Sequence, residues 1–187
     1  MLEVRLRPNQ MLRAESGAML YMTEGVDMET SMGLGGASGS GFSAGLTRMM
    51  TGQNLMVSDF RFAPAGIGTE SLPSGDDYGT VGLGTDFPAK ILKFTMADHP
   101  DATLICQKGA FLAGSHSVLP EMSFTKSFAG GFFGGEGFVL QSLRGTATDD
   151  DSGETAFLKA YGAVVKKELP SGETLRVSSG SLVAMTS

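Results

Sequence analysis

A short run of residues centred on a glycine occurs four times in the chain, and it constrains the fold more than any other feature. Residues 12–22 (LRAESGAMLYM) reappear as residues 175–185 (LRVSSGSLVAM), and shorter copies occupy residues 104–113 and 157–165. In each copy an apolar residue stands five places before the glycine, a small residue follows it, and two apolar residues come next. This pattern predicts a β-strand, a turn at a glycine with positive φ, and a second strand.

The last two copies are separated by a segment that contains a turn sequence. Residues 166–173 include Pro170, Ser171 and Gly172, and such a sequence is typical of a hairpin connection. We therefore predict that the strands on either side of this turn are consecutive and antiparallel.

A weaker similarity joins the middle parts of the chain. Residues 52–57 and 135–140 both run from glycine and polar residues into an apolar strand. Together with the repeated runs, this predicts a single all-β domain over residues 1–187 with little helix. The expected fold is a double-stranded β-helix or β-sandwich with two pseudo-symmetric halves, roughly residues 1–85 and 86–187.

Composition excludes several classes of protein. The formal net charge of −6 opposes attraction to phosphate backbones, so we expect no nucleic-acid partner. No apolar run approaches the roughly 18 residues of a membrane-spanning helix. The first eight residues alternate apolar and charged side chains, unlike a leader sequence. We therefore expect a cytoplasmic protein, with a mitochondrial location as the alternative if a leader has been removed.

Residue types that carry chemistry are scarce. Cys106 stands in an apolar run, which predicts a buried structural thiol. His99 and His116 lack metal-ligand spacing, and we expect structural or surface roles for both. The acidic residues 149–151 are interpreted as a polar hairpin tip, and the glycine-rich residues 33–41 as a loop. With no readable triad, nucleophile elbow or phosphate loop, we predict no enzyme activity, no catalytic residue, no cofactor and no metal site.

Two glycine-rich segments carry apolar side chains that are candidates for an interaction surface. The first segment also has helical spacing over residues 42–50, which makes it the best candidate for a short helix. These side chains either cover the ends of the core or form a subunit or membrane-surface contact, and a protein partner is favoured because the chain is acidic. The candidate interaction residues are Phe42, Leu46, Met49, Met50, Phe128, Phe132 and Phe133.

Six short motifs are spread over nearly the whole chain. They are residues 15–19 (ESGAM), 51–55 (TGQNL), 107–113 (QKGAFLA), 134–138 (GGEGF), 161–163 (YGA) and 180–184 (GSLVA). In order and spacing they resemble the altered-inheritance-of-mitochondria family and its uncharacterised bacterial homologues. The resemblance implies a sandwich similar to the fold of the tryptophan RNA-binding attenuation protein. It also implies, for mitochondrial members, a role in inner-membrane organisation and respiratory-chain assembly, and it supplies no catalytic residues.

These observations together predict a noncatalytic scaffold or interaction protein that associates with itself. A homo-oligomer is expected, with a trimer as the working stoichiometry, and a further protein or a membrane surface as an additional partner. The alternative is a small-ligand-binding module that uses the cavity of a cupin-like sandwich.

Overall fold

The computed structural model describes residues 1–32, 56–63, 77–123, 140–146 and 153–186. In this part of the chain the prediction of an all-β fold with little helix is confirmed, because its only helical segments are 3₁₀ turns at Met96–Asp98, Pro100–Ala102 and Ser179–Ser181. The strands are β1 (Leu2–Leu6), β2 (Met11–Glu15), β3 (Met19–Met22), β4 (Val26–Met32), β5 (Met56–Phe62), β6 (Gly79–Leu83), β7 (Ala89–Thr95), β8 (Thr103–Gln107), β9 (Phe111–Ser115), β10 (Val118–Ser123), β11 (Leu140–Gly145), β12 (Thr155–Tyr161) and β13 (Ala184–Met185).

The strands form three antiparallel sheets. A three-stranded sheet has the order β1-β6-β3, and a four-stranded sheet has the order β10-β11-β8-β13. The largest sheet has six strands in the order β4-β5-β2-β9-β12-β7. Its central pair, β2 and β9, is joined over Leu12↔Ser115, Arg13↔Gly114 and Ala14↔Ala113. Strands from before residue 85 therefore lie on one side of this seam, and strands from after residue 86 lie on the other.

Two hydrophobic cores lie on opposite faces of the six-stranded sheet. The first core packs the three-stranded sheet against it and contains Phe60 and Leu83. The second core packs the four-stranded sheet against it and contains Leu143 and Ala156. Phe157, the next residue after Ala156 in β12, packs against the first core. Since consecutive residues of a strand point to opposite faces, the molecule is a layered β-sandwich with the six-stranded sheet in the middle.

Two of the repeated runs form the predicted strand, glycine turn and strand. Gly17 connects β2 to β3 with φ of 90°, and Gly109 connects β8 to β9 with φ of 80°. In both turns the residue after the glycine donates a backbone hydrogen bond to the carbonyl two residues before it, at 3.2 and 3.0 Å respectively. Glycine is favoured at this position because it takes positive φ without a steric cost.

The predicted hairpin near the C-terminus is wrong. Gly162 has a φ of 74°, but no strand follows it within residues 162–178. The turn itself is present, because the Glu173 N–H donates to the Pro170 carbonyl at 3.0 Å. β13 pairs with β8 instead of β12. A hairpin without a third strand or a covering core is marginal in water, and the residues on both sides of this turn are exposed.

Some predictions concern residues outside the described ranges. These are the helix over residues 42–50, the loop over residues 33–41 and the acidic tip over residues 149–151. Within the described ranges, no helix has the length and apolar character needed to cross a bilayer.

Candidate functional site

Cys106 is buried in the second core, as its apolar sequence context predicted. Burial raises the pKa of its thiol to about 12. Since the thiolate is the nucleophile in cysteine chemistry, the burial of this thiol and its raised pKa both oppose its reaction at neutral pH. The prediction that Cys106 is buried is confirmed.

The two histidines lie in different surroundings. His99 stands between two 3₁₀ turns, and its ring centroid is 5.8 Å from that of Phe94. His116 lies in the turn between β9 and β10, beside a charged pair. Among the residues that the structure describes, no group of three or more His, Cys, Asp or Glu side chains could hold a metal ion.

The charged pair beside His116 consists of Arg13 and Asp59, which face each other on β2 and β5. Arg13 Nε donates to Asp59 Oδ1 and Arg13 Nη2 donates to Asp59 Oδ2, both at 2.8 Å. The Arg13 side chain is only 6% exposed. Such a bidentate pair holds both side chains in one orientation in addition to the attraction between their charges.

His116 contacts both members of this pair. Its Nε2 lies 3.1 Å from Arg13 Nη2 and 3.5 Å from Asp59 Oδ2. An arginine donates hydrogen bonds only, so the contact with Arg13 requires an unprotonated Nε2. Arginine does not release its proton in proteins, so Arg13 acts as a fixed donor that holds Asp59 across β2 and β5.

A second buried cation lies at the other end of β2. The Lys159 ammonium is hydrogen-bonded to Glu15 Oε2 and is 3.6 Å from Asp86 Oδ2. Burial acts to lower the pKa of Lys159, but the hydrogen bond and charge of Glu15, helped by Tyr161 and Asp86, outweigh it and raise the pKa. A lysine nucleophile needs a lowered pKa, so this ammonium serves as a structural ion-pair partner.

Sequence reasoning found neither ion pair. The only available signal for Arg13 was a basic residue flanked by Leu12 and Ala14 in an apolar strand pattern. A charge in that setting must be paired, but its partner is 46 positions away in the sequence. Local spacing could not identify that partner.

A small cavity lies between the six-stranded and four-stranded sheets. Its volume is about 30 Å³, and its lining includes Glu15, Phe111, Pro120 and Gln141. Gln141 is 1% exposed, and neither polar atom of its amide has a partner in the described part of the chain. The space suits one or two waters, whereas organic ligands occupy cavities of about 300 Å³ or more. This cavity gives no support to the small-ligand alternative.

Among the residues that the structure describes, several exposed apolar side chains lie on one segment near the C-terminus. We call residues 162–178 the C-terminal arm. Val165 is 85% exposed, and Leu169, Leu175 and Val177 are each between 46% and 48% exposed. Exposed apolar side chains on a segment that forms no strand make that segment a candidate for an interaction surface. The arm is therefore the candidate functional site.

The apolar residues identified from the sequence as candidate interaction residues all lie outside the described ranges. They are Phe42, Leu46, Met49, Met50, Phe128, Phe132 and Phe133, and their role stays a prediction. The arm was not among the candidates, because its sequence pattern suggested a paired hairpin.

Comparison with known proteins identifies one family and several solved structures with a similar fold. A sequence model of the family described as mitochondrial biogenesis AIM24 matches residues 1–187. The X-ray crystal structure of a protein from Streptococcus pyogenes is similar in fold, with a TM-score of 0.54 and 18% sequence identity. The match covers 86% of this chain but only 59% of the streptococcal chain. No curated protein matches the sequence.

Proposed function

Because the chain belongs to the mitochondrial biogenesis AIM24 family over its whole length, we propose that it is a noncatalytic scaffold that associates with further copies of itself. The description of the family refers to biogenesis and names no reaction. The buried groups described above support the noncatalytic part of the proposal, since Cys106, Lys159 and Arg13 all lie in settings that oppose nucleophilic or acid–base chemistry.

The observation that carries the proposal is the exposure of the C-terminal arm. Water contact with Val165, Leu169, Leu175 and Val177 is unfavourable, and covering them with another protein surface removes it. A second copy of this chain is a suitable partner on electrostatic grounds. The arm carries three basic and two acidic residues, whereas the whole chain has a net charge of −6, so the arm is a segment of opposite net charge to the surface of an identical molecule.

The mass of the full chain in solution tests this proposal. Size-exclusion chromatography with light scattering at high micromolar concentration should give a multiple of the 19.5 kDa chain mass, with three copies as the expected number. A mass of one chain would contradict self-association. The same measurement on the Leu175→Ser and Val177→Ser double variant, which we call the arm variant, should give a smaller mass with an unchanged circular dichroism spectrum.

Leu20→Ser provides a matched control for the arm variant. Leu20 is exposed on β3, outside the arm, so its replacement removes a similar apolar surface from a different place. We expect the mass of this variant to equal that of the wild type. Equal masses for the arm variant and the wild type would show that the arm is not the association surface.

The glycine-rich segments remain a second candidate for that surface. The Phe132→Ser and Phe133→Ser double variant tests them in the same way. If it dissociates and the arm variant does not, these segments form the contact.

Flotation with phosphatidylserine vesicles tests the membrane-peripheral form of the proposal. Loss of flotation in the arm variant, together with a monomeric wild type, would assign the arm to a lipid surface.

A further inference from the structure

The arm contains a strand sequence that is paired elsewhere in the same chain. Residues 175–177 (LRV) repeat residues 12–14 (LRA), which lie in β2. In β2, Leu12 is paired with Phe60 of β5 and Arg13 is paired with Asp59 of β5. The neighbouring strand thus presents an apolar residue to the leucine and an acidic residue to the arginine. Its copy in the arm forms no strand, and Leu175 and Val177 are exposed.

β4 presents the same alternation at a sheet edge. It is the outermost strand of the six-stranded sheet in the described part of the chain. Val26 and Met28 alternate along it with Asp27 and Glu29, and Met28 is 44% exposed. Both acidic side chains are also exposed. An edge strand of seven residues is long enough to accept another strand through its backbone groups.

We propose that residues 175–177 of one copy add as an antiparallel strand to β4 of a second copy. Residues that face each other across an antiparallel pair share a face of the sheet, so apolar side chains meet apolar ones and the arginine meets an acidic one. The inferred register is Leu175↔Met28, Arg176↔Asp27 and Val177↔Val26.

The choice of β4 follows from charge and length. β7, at the other edge of the six-stranded sheet, carries Lys90 and Lys93, which would repel the basic residues of the arm. β3, at an edge of the three-stranded sheet, has four residues and no charge. β1, at the other edge of the three-stranded sheet, carries Glu3, but this carboxylate already accepts a hydrogen bond from the Tyr21 hydroxyl. β10, at an edge of the four-stranded sheet, contains Pro120, which has no backbone donor for a further strand. β4 combines an acidic alternation with a length of seven residues, and like charges placed opposite each other are unfavourable.

The choice of a second copy follows from exposure. In a single chain Met28 and Leu175 are both exposed, so the arm and β4 do not cover each other within one molecule. Two copies can bury both surfaces at once. This inference rests on the proposed self-association and specifies its contact.

Engineered cysteines test the contact directly. Cys106 is the single cysteine of the chain and is buried, so an added cysteine is the only accessible thiol in each variant. A Leu175→Cys chain with a purification tag is mixed with an untagged Met28→Cys chain under mild oxidation. A disulfide needs Cα atoms within about 7 Å, which directly opposite residues satisfy. We expect a tagged–untagged dimer on a nonreducing gel.

Glu29→Cys serves as the matched control, because Glu29 lies beside Met28 on β4 but points to the opposite face. The yield of dimer with Leu175→Cys should be about tenfold lower for Glu29→Cys than for Met28→Cys, because its thiol points away. Equal yields, or no dimer from either mixture while the wild type remains oligomeric, would overturn the strand addition alone. A monomeric wild type would overturn the proposed function as well.

Discussion

The ring of Tyr21 lies over Gly82, so close that a Cβ on the glycine would be 2.5 Å from Cζ of the ring. Tyr21 and Glu3 both face Gly82, from the strands on either side of β6. The tyrosine hydroxyl crosses the glycine and donates to Glu3 Oε2 at 2.6 Å. Because Gly82 has no side chain, the Tyr21 side chain can cross β6 and connect all three strands of the smallest sheet.

Gly82→Ala should destabilise the protein by about 1–2 kcal/mol, because the methyl group displaces the tyrosine ring and separates its hydroxyl from Glu3. Urea unfolding measures the change. Tyr21→Ala removes the ring, so adding Gly82→Ala to that variant should have a much smaller effect. Equal costs in the two backgrounds would show that the glycine matters for another reason.

Arg13→Met should destabilise the fold by about 3 kcal/mol, because it leaves the Asp59 carboxylate largely buried without its bidentate partner. The double variant Arg13→Met with Asp59→Leu should regain much of the loss, since neither charge then remains. Thermal and urea unfolding provide the comparison. A double variant less stable than Arg13→Met would contradict this explanation.

The ion pair of Lys159 should make stability fall at high pH. The folded-state pKa of Lys159 is raised above its ordinary value of 10.5, so its contribution is complete below that pH and is lost as pH rises through the raised value. Unfolding free energies measured across this range should decline less steeply for Lys159→Met than for the wild type. For Lys93→Met, at an exposed position on β7, the unfolding free energy should fall with pH as steeply as in the wild type.

Cys106 should resist alkylation in the folded protein. Iodoacetamide at pH 8 should leave the native chain unmodified by mass spectrometry and should modify it fully in urea, because the thiol is buried and its pKa is raised to about 12. Rapid modification under native conditions would show that the second core opens readily. It would also remove the basis for the cross-linking experiment.

The features that the sequence predicted correctly are local ones. The turns at Gly17 and Gly109 follow from a strand pattern, a glycine and a second strand pattern within about ten residues. The burial of Cys106 follows from its apolar neighbours. In each case the residues that determine the structure are adjacent in the sequence.

The features that were not predicted from the sequence depend on residues that lie far apart along the chain. Residues 12–14 lie in a strand and residues 175–177 repeat their sequence without forming one, because β5 and β9 lie beside β2 and no described strand lies beside the arm. The same strand preference thus gives a central strand in one place and an exposed segment in the other. The bidentate pair of Arg13 and Asp59 likewise depends on the register of two strands, which local patterns do not specify.

The two cores lie on opposite faces of one sheet. We therefore expect the two halves of the chain, which meet where β2 pairs with β9, to open as separate cooperative units. Each core is built chiefly from one half of the chain, and the halves meet in the six-stranded sheet over three residue pairs. Local opening in proteins follows such contiguous units. Amide hydrogens of the two halves should therefore exchange with solvent at two distinct rates, so that one half can loosen while the other stays folded.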